Sequence, residues 1–209
     1  YKHLGGNRQF IARLNAGIGY AYGNSVAIPF EKQFFAGGSS GIRAWQARTL
    51  GPGNYNRSVL TNDERKAFFG LDQLGDLRLE ANLEYRAILV KNFFGATLKG
   101  AAFVDMGNVW TLRKDADDPS SELKMFKLGK LAQQLAIGTG FGLRYDVQYF
   151  VFRFDVGLKL KDPQFTGADQ WVIGKFLSGA KQFKADYLET HRPDTYRFLQ
   201  YNFGIGMPF

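Results

Sequence analysis

The sequence predicts an all-β chain, a transmembrane antiparallel β-barrel, and three observations carry that expectation. Apolar and polar residues alternate with a period of two in segments long enough to cross a bilayer. Long and short connections alternate between those segments. Aromatics reach 16% and glycines number 25, yet no apolar run approaches the roughly eighteen residues that a spanning helix needs. A half-buried soluble sheet would alternate too, but its strands average about half the 9–11 or so residues of a tilted membrane strand.

Six segments follow the rule. From Gln9 to Gly23, Phe10, Ala12, Leu14, Ala16, Ile18, Tyr20 and Tyr22 share one face, and Arg13, Asn15, Gly17 and Gly19 the other. Residues 1–8 receive no assignment. From Leu77 to Leu89 the separation is cleanest, with Leu77, Leu79, Ala81, Leu83, Tyr85 and Ala87 against Arg78, Glu80, Asn82, Glu84 and Arg86. From about Thr97 to Trp110, Leu98, Ala102, Val104 and Met106 oppose Lys99 and Asp105. Near Leu135 to Asp146, Leu135, Ile137, Phe141, Leu143 and Tyr145 oppose Gly138, Gly140, Gly142 and Arg144. The fifth sets Phe150, Phe152, Phe154, Val156, Leu158 and Leu160 against Arg153, Asp155, Lys159 and Lys161. The sixth carries Leu199, Tyr201, Phe203, Ile205, Met207 and Phe209 on one face.

Between them lie a long spacer (Pro29 to Asp76), a short one (Ile88 to Ala96), a long one (Thr111 to Gln134), Val147–Gln148, and a long one (Asp162 to Thr195). Tyr20, Tyr22, Tyr85, Trp110, Tyr145 and Phe209 stand at predicted strand ends, where interface girdles form. Glycines on the inner face leave room for another segment to pack closely. Six strands are fewer than the about eight a closed barrel needs, so the expectation is a piece of a larger barrel or an oligomer. In the last spacer, Phe176, Leu177, Ala180, Phe183, Tyr187 and Leu188 recur at helical spacing, as in a helix packed on the barrel mouth.

Composition excludes several chemistries. With no cysteine there is neither a disulfide framework nor a thiolate metal site. The net charge of +8 fits an anionic lipid surface or nucleic acid, and no basic run is long enough to choose between them. His3 and His191 lack a second ligand at metal spacing and are expected on the surface, so no metal or cofactor is implied. Gly37-Gly38-Ser39-Ser40-Gly41 fits a G-x-S-x-G pattern, but the flanks lack the strand-to-helix elbow that a serine nucleophile needs. Nor does a Lys-Ser/Thr follow to make it a phosphate cradle. No catalytic residue is assigned.

The most specific stretch is Phe34-Phe35-Ala36-Gly37-Gly38-Ser39-Ser40-Gly41-Ile42-Arg43-Ala44-Trp45, followed by Leu50-Gly51-Pro52-Gly53. It resembles the long inward loop of the BamA/TamA-like superfamily of outer-membrane protein assembly factors, whose tip reads Val-Arg-Gly-Phe/Tyr. Here the tip is Ile42, Arg43, Ala44 and Trp45; the departure at Ala44 bears on the tight backbone more than on the ionic chemistry. An Arg carried into a lumen needs carboxylates, because an unpaired buried charge costs several kcal/mol. Asp105 lies in Phe103-Val104-Asp105-Met106-Gly107-Asn108-Val109, which resembles the family's Phe-x-Asp-x-Gly-x-Val wall segment, and Glu84 lies on the neighbouring polar face. The resemblance implies that Asp105 and Glu84 clamp Arg43. Arg suits this better than Lys because its planar fork fits a carboxylate in fixed geometry.

The C-terminal Tyr201, Phe203, Ile205, Met207 and Phe209 look like the recognition signal on the last strand of outer-membrane proteins, with Pro208 removing one ladder donor. The resemblance implies that residues 1–209 are the C-terminal six strands of a barrel of about 16, with an inward loop near 29–76 and extracellular loops near 111–134 and 162–195. It implies a non-enzymatic assembly factor in the outer membrane of a Gram-negative bacterium, where a client strand pairs at the seam. The implied partners are client β-barrel proteins, outer-membrane lipids and accessory subunits of an assembly complex, with no nucleic acid. A translocation or secretion relative, a passive pore and a Ser39 hydrolase are the alternatives.

Overall fold

The computed structural model describes residues 2–3, 7–25, 28–56, 73–147, 149–191 and 194–206. Its strands are β1 (Lys2–His3), β2 (Arg8–Ile18), β3 (Phe34–Phe35), β4 (Leu74–Gly75), β5 (Leu77–Phe93), β6 (Ala96–Trp110), β7 (Ala136–Asp146), β8 (Val151–Lys161) and β9 (Leu199–Ile205). Seven of them form one antiparallel sheet in the order β1-β2-β5-β6-β7-β8-β9, so chain neighbours are sheet neighbours once the β3–β4 pair is set aside. Tight hairpins join β5 to β6 and β7 to β8, and long connections join the other neighbours from β2 onward.

The polarity of the sheet is inverted relative to a soluble protein. Leu14, Phe141 and Phe203 are 79%, 74% and 69% exposed, while Asn82, Glu84, Asp105, Arg144 and Asp155 are fully buried. Alternation alone accounts for this: on each strand one set of side chains faces out, where a bilayer would cover it, and the other faces the loop held inside. No helix among the described residues is long and apolar enough to cross a membrane.

The strand boundaries differ from expectation in places that have physical causes. β2 ends at Ile18, opposite Leu77 where β5 begins; beyond a Gly19 N–H bond to the Asp76 carbonyl, Tyr20 and Tyr22 have no ladder partner. β5 runs through the expected 88–96 spacer to Phe93, across register shifts near Val90. The turn that follows is Phe94–Gly95, with φ of 49° and 82°, the mirror-image geometry that matches strand twist. Residues 1–8 are not all loop, since β1 adds Lys2 and His3 to the sheet opposite Phe10 and Gln9. Met207 and Phe209 lie outside the described residues.

Two placements overturn sequence expectations. Trp110 is no interface residue: the connection after β6 folds over it, Phe126 meets its ring edge-on at 5.4 Å, and it is completely buried. His191 is buried as well, stacked on Tyr187 at 3.8 Å with Nε2 2.6 Å from Asn56 Oδ1.

Two single-turn helices, α1 (Ser121–Lys124) and α2 (Leu131–Gln134), sit in the β6–β7 connection, and α3 (Val172–His191) in the β8–β9 connection. α3 closes one end of the sheet by packing Phe176, Phe183 and Tyr187 against Tyr196 and Phe198. The backbone of α3 leaves helical geometry at Gly179; Lys181 and Lys184 beyond it are exposed, and Leu177 before it, expected on the packed face, faces out as well.

Candidate functional site

The loop between β2 and β5 turns back along the inner face of the sheet. β3 and β4 form its neck, and an Ala36–Leu50 bridge closes the excursion that carries the tip. The reversal begins at Gly37 and Gly38, whose φ values of 91° and 88° lie in the region open to glycine. A side chain at Gly37 would strike the Gln46 carbonyl oxygen, 2.4 Å from its Cβ position. Ala36, Ile42, Ala44, Trp45 and Leu50 bury themselves with Val109 and Ala136 of the wall, which gives the loop an apolar core of its own.

Arg43 at the tip is completely buried, as are Asp105 on β6 and Glu84 on β5. Its Nε and Nη2 donate to the two oxygens of Asp105, both at 2.8 Å, and its backbone N–H adds a third bond at 3.0 Å. Nη1 donates to Glu84 Oε2 at 2.5 Å. Register explains how one guanidinium reaches both carboxylates. Asp105 faces Asn82 across the ladder and Glu84 faces Phe103, so Phe103 and Asn82 lie on one diagonal of this pair of rungs and the acids on the other. The Arg43 guanidinium bridges that diagonal with its carbon 3.5 Å from the centre of the Phe103 ring.

The acids are themselves held. Asn82 donates to Asp105 Oδ1 at 2.9 Å and to the Gly41 carbonyl at 2.9 Å. Glu84 Oε1 takes Arg86 Nε at 2.6 Å and Arg144 Nη2 at 3.1 Å, and Arg144 Nη1 continues to Asp155 Oδ1 at 2.6 Å. The wall therefore carries a connected network of arginines and carboxylates, and such networks stabilise only when their members are matched.

Ala44 and Trp45 complete the tip. A Cβ built on Gly138 would lie 2.5 Å from the Ala44 Cβ, and one on Gly157 would lie 2.8 Å from the Ala44 Cα and 2.6 Å from the Arg43 carbonyl oxygen. The extra methyl of Ala44 is thus accommodated by glycines in the wall. Gly157→Ala is expected to push the tip off the wall at a cost of about 1–3 kcal/mol, read as a lower unfolding midpoint of the barrel in denaturant. The Trp45 ring faces the Lys159 ammonium at 5.0 Å, and the Tyr196 ring faces it at 4.6 Å. Asp162 joins the group, accepting from Tyr196 at 2.8 Å and lying 3.4 Å from Lys159. Burial and the Asp162 carboxylate hold the Tyr196 hydroxyl well above its ordinary pKa, so it remains a donor.

Of the residues singled out in the sequence, Ile42, Arg43, Ala44, Trp45, Glu84 and Asp105 come together in this one site. Tyr201, Phe203 and Ile205 do not; they line the outer face of β9, 60%, 69% and 66% exposed. The sequence reading missed Phe103, Asn82 and Asn202 as contacts of the tip, and Arg144 as a partner of Glu84, although each occupies an inward position that alternation identifies. Around Ser39 the chain runs from the two-residue antiparallel β3 into bends, without the elbow of a serine nucleophile, and both ring nitrogens of His191 are engaged by Asn56, Thr190 and Tyr187.

The sequence model of the Omp85 superfamily domain matches residues 1–208. That superfamily is one of outer-membrane β-barrels that act in protein biogenesis and translocation, and its members are generally not enzymes. With an antiparallel sheet that is apolar outside and charged inside, wrapped around an inward loop, the chain belongs to the Omp85 superfamily.

Proposed function

We propose that this chain works as an outer-membrane protein assembly factor of a Gram-negative bacterium, guiding client β-barrel proteins into the bilayer by strand pairing along β9. The observation that supports this best is Arg43, wholly buried and matched to two carboxylates of the wall. A passive pore gains nothing from a plug fixed so firmly, whereas a barrel that must keep its shape while a neighbouring strand comes and goes does. In this reading residues 1–209 form the C-terminal part of the barrel, the 29–76 loop is its inward clamp, and the 111–134 and 162–195 segments face the cell exterior. Client strands add to β9 on the side away from β8 through backbone hydrogen bonds. The free energy comes from strand pairing and from burial of the client's apolar face in lipid. Accessory subunits and outer-membrane lipids complete the working assembly.

The test is photocrosslinking in living cells, with a benzophenone side chain replacing Tyr201 on β9 of the full-length protein. Nascent barrel proteins are expected to crosslink there and not at Phe141 on β7, which is equally turned outward but enclosed by neighbouring strands. Equal or absent client crosslinking at both positions, together with open-channel conductance in planar bilayers, would establish the passive pore instead.

A further inference from the structure

We propose that Asn202 is a positioning residue that ties the last strand to the loop tip, so that a strand pairing with β9 is felt at Arg43; this rests on the assembly reading above. The tip draws hydrogen bonds from both ends of the sheet. Arg13 on β2 donates to the Ser40 carbonyl at 2.7 Å, Asn82 on β5 to the Gly41 carbonyl at 2.9 Å, and Asn202 on β9 to the Arg43 carbonyl at 2.8 Å. Arg43 is therefore held by its guanidinium to β5 and β6 and by its carbonyl to β9.

Three features make that last bond a coupling. Among the described residues β9 is the shortest of the strands flanking the tip, with 7 residues against 11 in β2, β7 and β8, so its ladder resists displacement least. Asn202 is buried, 8% exposed, opposite Asp155 in the register, where water cannot replace the lost partner at low cost. The Arg43 carbonyl also rests directly on Gly157, whose Cβ position is only 2.6 Å away, so the tip has no slack toward the wall. A hydrogen bond is lost when its heavy atoms separate beyond about 3.5 Å. A shift of β9 by an ångström therefore either breaks this contact or draws the tip along, and the Asp105 and Glu84 contacts determine how far the tip follows.

The chain has no cysteine, so Ser40→Cys, at an exposed position of the tip, supplies one clean label in this part of the full-length protein. A synthetic peptide copying residues 199–206, with a benzophenone in place of the tyrosine, serves as the incoming strand, since an open edge pairs with a like strand. Crosslink yield to β9 reports occupancy and the maleimide labelling rate at Ser40→Cys reports the tip. In the parent protein, occupancy is expected to change the labelling rate by about fivefold. In Asn202→Leu and in Asn202→Asp, which keeps the size but removes the donor, crosslinking is expected to persist while the rate change disappears. An equal rate change in parent and variants, or crosslinking in the parent without a rate change, overturns the coupling and leaves the assembly reading standing. No crosslink in the parent sinks the assembly reading and this inference with it. Heat-modifiable mobility on gels identifies folded variants, and if Asn202→Leu fails that check, Asn202→Asp decides the question.

Discussion

Asp105→Ala is expected to destabilise the folded barrel by about 3–5 kcal/mol, the cost of breaking a buried ion pair from one side. The carboxylate accepts three bonds from Arg43 and one from Asn82, and its removal takes two of the guanidinium's charge-assisted bonds from a fully buried Arg43. Arg43→Met should cost about as much, because Asp105 would lose its bound guanidinium while still buried, and Glu84 would keep only Arg86 and Arg144 of the cations described around it. The double variant is expected to cost less than the sum by roughly 0.5–3 kcal/mol, the coupling of residues that share a network. Unfolding midpoints from heat-modifiability gels, together with outer-membrane protein levels, measure all three. Strict additivity would show that the pair does not act as a unit. A simple charge exchange is not expected to restore the wild type, since an aspartate at position 43 would point at Glu84.

Trp45→Ala is the second large effect. The ring is 2% exposed within the loop's own apolar cluster, and emptying a buried aromatic site costs about 3–5 kcal/mol. The change also removes one of the two ring faces presented to Lys159, leaving the Tyr196 ring and the Asp162 carboxylate beside it. The expected result is a loop that proteases cut between residues 36 and 50 in a sheet that still migrates as folded at low temperature. Trp45→Phe keeps a ring over the ammonium and is expected to retain protection. Equal cleavage of both variants would assign the effect to lost volume rather than to the ring's position.

The strands were legible because each has one polar face, and the period of two survives in a membrane barrel with its sense reversed. Glu84, Asp105, Arg144 and Asp155 all fall on inward positions by that rule. What alternation does not say is what covers a residue. Trp110 reads as a girdle aromatic by its place at a strand end and is buried because Phe126 returns over it from a connection with no periodic pattern. His191 reads as a surface residue for lack of a second ligand, and Tyr187 one turn earlier supplies a stacking partner instead. The ends of β2 and β5 were misjudged for a related reason: a strand stops where its neighbour stops, and the neighbour is fixed by register. Within the site, the acids and Arg43 stand out as charges that require partners. Asn202 carries no charge, so nothing in the sequence distinguishes it from an amide that merely faces a polar interior.

The charged wall also constrains the order in which the protein itself can be made. Glu84, Asp105 and Asp155 are buried together with Arg86 and Arg144, and two of those acids take Arg43 as a direct partner. Were the sheet to curl before the tip arrived, Glu84 and Asp105 would lose their water while still missing that cation, at several kcal/mol per stranded charge. The loop must therefore be in hand when the hairpins close around it. The tip lies between β2 and β5 in the chain, flanked on both sides by strands of the wall that receives it.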